Sequence, residues 1–243
     1  MPAPNSELPL DKKSASIRSM FADIAPRYDL LNHLLSLNVD RYWRWRTTRL
    51  VPPDLSGPHL DVCTGTGDLA LAYHRAGKGK LPVVATDFCA PMLVRGNAKA
   101  AGTIPFLVAD TMRLPFPDAS FQAVTVAFGL RNVADTLAGL REMARVCRPG
   151  GTVAVLEFST PRLWPLRPFY LWYFRTILPL IGRWVSRSSD FAYSYLPASV
   201  AAFPEREALA AIFAEAGLTG TTWRSLTFGI ATLYWGRKPA ENP

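Results

Sequence analysis

The 243-residue chain is 49% hydrophobic and 19% charged, with a formal net charge of +8, a balance that supplies a large core and argues against disorder. Its three cysteines, Cys63, Cys89 and Cys147, are odd in number and widely spaced, which speaks against a disulfide framework or a zinc site and points to a reducing compartment. The three histidines are equally dispersed, so no metal is expected, and the proline-rich start has the pattern of neither a signal nor a transit peptide.

From Lys12 to about Val51 the pattern is helical: Ile17, Met20, Phe21 and Ile24 share one face, Leu30, Leu31, Leu34 and Leu35 the next, and Pro26 separates the two. A third helix is expected over Asp40-Arg41-Tyr42-Trp43-Arg44-Trp45-Arg46, with Asp40 as its N-cap, its tryptophans packed and its arginines solvated. Together these helices are expected to cap one edge of a sheet. Pro52-Pro53 and Gly57-Pro58 then mark a linker.

Strands are predicted at Leu60 to Cys63, Val83 to Asp87, Ile104 to Ala109, Phe121 to Phe128 and Val153 to Phe158. Helices alternate with them at about Asp68 to Ala76, Pro91 to Ala101 and Thr136 to Cys147, the last stopped by Arg148-Pro149-Gly150-Gly151. Unbroken apolar runs such as Ala123 to Phe128 suit strands buried on both faces, so a doubly wound parallel α/β sheet is predicted. Between Phe158 and Ser189 there is no acidic residue, while Arg162, Arg167, Arg175, Arg183 and Arg187 alternate with aromatic residues such as Trp164, Tyr170, Trp172 and Trp184. That run is too interrupted for a membrane span and fits an interfacial helix or a lid. A helix at Pro204 to Ala216, closed by Gly217, and an antiparallel pair at Thr221 to Leu226 and Ile230 to Trp235 complete the chain.

The candidate site starts at Gly65-Thr66-Gly67-Asp68-Leu69-Ala70, which matches the G-x-G-x-x-A turn of nucleotide-binding sheets, with Asp87 placed to hold a ribose. Alone, this turn serves a nicotinamide enzyme or an S-adenosylmethionine enzyme equally. Asp61, inside the first strand, would repel a pyrophosphate and attract an amino group and a sulfonium. Asp110, after the third strand, can accept from an adenine amino group, with Thr111 beside it. Three acidic positions around one pocket therefore favour the cationic cofactor. After the fourth strand, where such sheets open their crevice, Gly129 is read as permitting a sharp turn that projects Arg131 and Asn132 over the cofactor.

These residues resemble the quinone-biosynthesis C-methyltransferases. The resemblance rests on Phe21 to Asp29, Leu60 to Asp68, Leu114-Pro115-Phe116-Pro117-Asp118, Phe128-Gly129-Leu130-Arg131-Asn132-Val133, Leu156-Glu157-Phe158-Ser159, Ile177-Leu178-Pro179, Tyr193 to Pro197 and Thr227 to Ala231. Two departures are mild: Thr64 stands where Gly or Ala is common, and Ala127 where some members have serine. The resemblance implies a Rossmann-like class I S-adenosylmethionine-dependent methyltransferase, one domain over 1–243 with a mostly parallel seven-stranded sheet. Its parts would be a helical cap (1–51), a cofactor core (59–158), a substrate- or membrane-facing insertion (159–203) and a final helix with antiparallel strands (204–236). It implies cofactor contacts from Thr66, Asp87, Asp110 and Thr111, to which the reading of the residues adds Asp61, Gly65 and Gly67 as cofactor contacts and Arg131 and Asn132 in catalytic roles. It also implies a polyprenylated quinol substrate, most simply demethylmenaquinol, with a polyprenyl-benzoquinol of ubiquinone synthesis as the alternative. A cytoplasmic protein at the inner face of the membrane is expected, with self-association or a biosynthetic complex left open. The +8 charge also raises a nucleic-acid methyltransferase, but Ala127-Phe128-Gly129-Leu130 lacks the polar-proline-aromatic motif that amine methylation of bases calls for, and no nucleic-acid module is appended.

Overall fold

The computed structural model describes residues 14–164, 168, 170, 172, 173, 176 and 190–240. Three helices come first: α1 (Ser14–Ile24), α2 (Tyr28–Leu35) and α3 (Val39–Leu50), with a 3₁₀ turn at Ala25–Arg27 where Pro26 breaks the pattern. Then β1 (His59–Asp61), α4 (Asp68–Ala76), β2 (Val83–Asp87), α5 (Ala90–Ala100), β3 (Phe106–Val108), β4 (Phe121–Ala127), α6 (Thr136–Val146) and β5 (Cys147–Phe158) alternate as predicted. They are followed by α7 (Asp190–Ala202), α8 (Glu207–Glu215), β6 (Thr219–Leu226) and β7 (Ala231–Arg237).

The seven strands form one sheet in the order β3-β2-β1-β4-β5-β7-β6. The first five are parallel, whereas β7 runs antiparallel between β5 and β6. The centre of the sheet is apolar on both faces: Val124, Val126, Val153 and Val155 have no exposed surface. Each such valine contributes roughly 1.5–3 kcal/mol relative to an exposed one. The strand order reverses between β1 and β4, which opens a crevice at their C-terminal ends.

Four details differ from the sequence-based expectation. Asp40 is not the N-cap of α3; Asn38, at φ +61°, precedes the helix, and Asp40 is buried inside the first turn against Arg44. Residues 148–151 do not end a helix but belong to β5, where the register with β4 jumps from Phe121↔Cys147 to Ala123↔Thr152 and the extra residues pair with Lys238. β1 stops at Asp61 because Cys63 already turns into a left-handed conformation (φ +48°). β3 is shortened to three residues at the sheet edge, with Leu107 and Val108 exposed. The expectation for the arginine-aromatic run falls largely outside the described residues. Of those described, Tyr170 is buried and Trp164 and Trp172 are exposed.

Candidate functional site

A cavity of about 470 Å³ lies over the C-terminal ends of β1, β2 and β4. Its floor is polar and built from the strand-to-helix turns: Asp61, Gly65, Thr66, Asp87, Asp110 and Thr111 all line it. Across from them stand apolar groups of the helical cap and the later chain, among them Phe21, Leu31, Phe158, Tyr170, Tyr195 and Ile230. The capping helices therefore close the crevice that the sheet opens.

The carboxylates of the floor sit in different environments. Asp87 ends β2 and accepts from the backbone N–H of Gly65 (2.8 Å) and of Cys89 (2.9 Å), tying the glycine turn to the next strand end. Asp61 is fully enclosed and accepts from the hydroxyls of Thr64 (2.6 Å) and Thr125 (2.7 Å). Because Thr125 gives its proton to Asp61, it must accept from His59 Nε2 (3.0 Å), so His59 carries a proton on Nε2. Burial holds the His59 pKa down at about 3. Burial also pushes Asp61 up to about 7, against the pull of the two hydroxyls, and Asp87 up to about 6. Asp110 is exposed and accepts from the Met112 N–H (2.9 Å), while the buried Thr111 hydroxyl meets Cys63 Sγ at 3.1 Å.

The glycine turn is held from two sides. Gly65 (φ +57°) and Gly67 (φ +82°) take the left-handed conformation that glycine alone adopts freely. A Cβ on Gly67 would lie 2.7 Å from the Phe106 ring, and one on Gly96 of α5 only 2.5 Å from the same ring. From the cap, Asp29 accepts from Thr66 Oγ1 (2.5 Å) and pairs with Lys99 Nζ (2.6 Å), and Lys99 also reaches Asp68 (2.8 Å). The Thr66 hydroxyl thus meets the helical cap. Tyr28 of α2 stands beside Gly65. His33, Asp40 and Asp68 also converge, but the Arg44 guanidinium binds both carboxylates, so their charge is already compensated.

Above the floor, Leu130–Asn132 form a 3₁₀ turn in which Arg131 folds back onto the end of β5. Glu157, 1% exposed, accepts from the Arg131 N–H (3.1 Å) and from its Nη1 (3.0 Å). Nη1 also bonds the Phe128 carbonyl, and the guanidinium lies 5.3 Å from the Phe158 ring centroid. Gly129 is not needed for a sharp turn, since its φ is −115° and any residue adopts that value. Glycine is required because a Cβ there would come within 2.4 Å of Cys63 Cβ. Arg131 Nε and Asn132 Oδ1 are buried with no hydrogen-bond partner among the described residues, and both residues line the cavity. The structure thus gathers Asp61, Gly65, Thr66, Asp87, Asp110, Thr111, Arg131 and Asn132 around one cavity, with Gly67 behind the turn.

Glu157, Asp29 and Tyr28 were not singled out as site residues by sequence reasoning. Glu157 had a signal, a lone acid at the end of an otherwise apolar strand. Leu114 to Asp118, by contrast, lies away from the cavity and serves as an anchor for Arg145, which bonds the Leu114 and Phe116 carbonyls and Asp118.

The architecture recurs in solved structures. An S-adenosylmethionine-dependent methyltransferase from Thermotoga maritima superposes with a TM-score of 0.65 at 14% identity, covering 91% of this chain and 99% of the other. Phosphoethanolamine N-methyltransferase 2 of Haemonchus contortus, solved in complex with S-adenosyl-L-methionine, gives 0.56 at 14% identity over 79% of this chain and 51% of that one. The sheet order and flanking helices define a class I S-adenosylmethionine-dependent methyltransferase fold. Within that class, the model of the ubiE/COQ5 methyltransferase family matches residues 10–238, and the chain belongs to this family. It is 46% identical to the ubiquinone/menaquinone biosynthesis C-methyltransferase of Geobacter sulfurreducens over 94% of this chain and 91% of that protein. It is 47% identical to the demethylmenaquinone methyltransferase of Thermus thermophilus over 90% and 100%.

Proposed function

We propose that the protein transfers a methyl group from S-adenosylmethionine to a ring carbon of a polyprenylated quinol, most specifically converting demethylmenaquinol to menaquinol. The observation that carries this reading is that Arg131, held by the buried Glu157, lines the same cavity as the carboxylates of the floor and the apolar groups of the wall. The floor suits a cationic cofactor without phosphates: Asp87 for the ribose, Asp110 and Thr111 for the adenine end, Asp61 beside the amino acid end, and the Gly65–Gly67 turn for close backbone approach. Family membership and relatives named for quinone methylation support the same acceptor.

When bound, S-adenosylmethionine supplies an electrophilic methyl group on a sulfonium. The protein's part is to present the ring and steer charge. The apolar wall takes the prenyl-bearing ring. A ring hydroxyl loses its proton to solvent, its oxygen gathers negative charge beside Arg131, and the neighbouring ring carbon attacks in line. The new carbon–methyl bond would form at the expense of the cofactor's carbon–sulfur bond, held over Asp61 and the Gly65–Gly67 turn, and the proton displaced from the ring carbon passes to water. Arg131 keeps its own proton, since a guanidinium is not a base in proteins; it stabilises the oxyanion, and Asn132 offers its unpartnered amide oxygen to a ring hydroxyl or a relaying water.

Single-turnover assays of the purified enzyme with demethylmenaquinol and with the 2-methoxy-6-polyprenyl-1,4-benzoquinol test the reading. Methylation of the naphthoquinol is expected to dominate. Preference for the benzoquinol would reassign the ring, and labelling of tRNA with neither quinol used would remove the proposal. In this reading the cap (1–51), the core (59–158), the insertion (159–203) and the final helix with its antiparallel strands (204–236) act as one domain. Among the described residues, no helix is long and apolar enough to cross a membrane.

A further inference from the structure

The basic and aromatic run of α3 divides in the fold. Trp43 turns inward, 2% exposed, and donates from Nε1 to Thr227 Oγ1 (2.7 Å). Tyr42 and Trp45 turn outward with their rings 5.9 Å apart, and Arg46 and Arg49 lie over the Trp45 ring. On the helix before, Leu30 (61% exposed) and Leu34 point outward one turn apart, and Leu37 (75% exposed) joins the two helices. The only acidic residues between Ile24 and Val51 are Asp29 and Asp40. Both are engaged inward, Asp29 with Lys99 and Thr66, Asp40 with Arg44, His33 and Ser36. What faces outward is leucine, tyrosine, tryptophan and arginine without a carboxylate.

We infer that the outer face of α2 and α3 docks on a bilayer surface bearing anionic headgroups. Three features point to lipid. The leucines supply an apolar strip that stands exposed among the described residues. Tyrosine and tryptophan beside arginine is the side-chain set that sits at the level of lipid headgroups, with the guanidinium groups reaching phosphates. The strip also runs into the cavity: Leu37 and Phe228 (68% exposed) both line it and stand at its rim. A membrane-dissolved quinol would reach the apolar wall by way of these residues, so the inference rests on the acceptor proposed above and identifies where it enters.

The test is sedimentation of the full chain with vesicles of phosphatidylcholine alone or mixed with phosphatidylglycerol. A soluble quinol bearing one isoprene unit, supplied without vesicles, serves as a parallel activity assay. The wild-type protein is expected to bind the anionic vesicles preferentially. A Leu30→Asp, Leu34→Asp double variant should bind them about tenfold less or weaker still. An Arg41→Gln, Arg49→Gln double variant should lose about fivefold per arginine at low salt. Leu55→Asp, on an equally exposed leucine just before β1 at the opposite end of the sheet, should bind like wild type. All variants should methylate the soluble quinol, which shows that they fold; if the leucine variant does not fold, the arginine variant decides. Wild-type protein that ignores vesicles, α2 and α3 variants that bind normally, or equal loss in Leu55→Asp would each overturn the inference. So would light scattering showing that these variants break a dimer, or retention by nucleic acid in place of lipid. Failure to methylate the soluble quinol alongside normal vesicle binding would count against the proposed acceptor and leave the docking face standing.

Discussion

Arg131 and Glu157 form a buried pair in which one carboxylate holds both the backbone N–H and the guanidinium of the same residue. This arrangement fixes the guanidinium relative to the end of β5. Arg131→Ala is expected to leave cofactor affinity nearly intact and to lower turnover by on the order of 10²-fold or more. It should also destabilise the fold by roughly 3–5 kcal/mol, because Glu157 is left buried without its cation. Adding Glu157→Gln should recover most of that stability while turnover stays low. If stability and turnover return together, Arg131 has only a structural role.

Gly129→Ala tests whether the turn needs room. Its Cβ would press on Cys63, so the 3₁₀ turn has to shift, at a cost of about 1–3 kcal/mol. Turnover, measured well below the melting temperature, should fall further than the unfolded fraction explains. A variant as active as wild type would show that the turn yields without moving Arg131.

Asp61 and Asp87 are expected to make cofactor binding pH-dependent. Their folded pKa values, about 7 and about 6, lie above ordinary carboxylate values. The folded state therefore holds extra protons between those limits, and the stability these groups contribute is greatest below an unfolded pKa of about 4 and is lost as pH rises through about 6 to 7. A cationic ligand favours the ionised carboxylates, so binding at about pH 6 should release protons and at about pH 8 should release almost none. Titration calorimetry in buffers of different ionisation enthalpy reads this directly. Identical heats in all buffers at the lower pH would show that these carboxyls do not respond to the ligand.

Asp29 links the helical cap to the glycine turn. Asp29→Asn removes the charge facing Lys99 and weakens the bond to Thr66. Both side chains are partly exposed, so the effect is modest: S-adenosylmethionine affinity should fall about threefold at low salt. The gap to wild type should narrow as salt rises, because screening weakens the native pair first. A gap independent of salt would place the effect in the Thr66 bond alone.

The sheet was legible because its signals are local. Apolar runs of five to seven residues, each followed by a turn and a helical face, located β2, β4 and α4 closely. The end of β1, the bulge at 148–151 and the start of α3 were not: the bulge depends on a partner strand, and Cys63 and Asn38 take a left-handed conformation that their residue types do not announce. The same division holds in the cavity. Asp61, Asp87 and Arg131 could be found because strand ends converge in this architecture. Glu157 shows locally only as a lone acid at a strand end, and Asp29 not at all, because their partners lie 26 and 37 positions away.

Phe106 carries a consequence for how this chain can vary. Its ring occupies the space of two missing methyl groups, one on the glycine turn at Gly67 and one within α5 at Gly96. Position 67 needs glycine for its backbone as well, but position 96 lies in a helix that would gain about 1 kcal/mol from alanine. The helix forgoes that gain so that an edge strand only three residues long is pinned beneath the glycine turn. Positions 96 and 106 therefore form a pair under mutual constraint: alanine at 96 becomes favourable only alongside a shorter side chain at 106, and substitutions at the two sites should be found together in related chains.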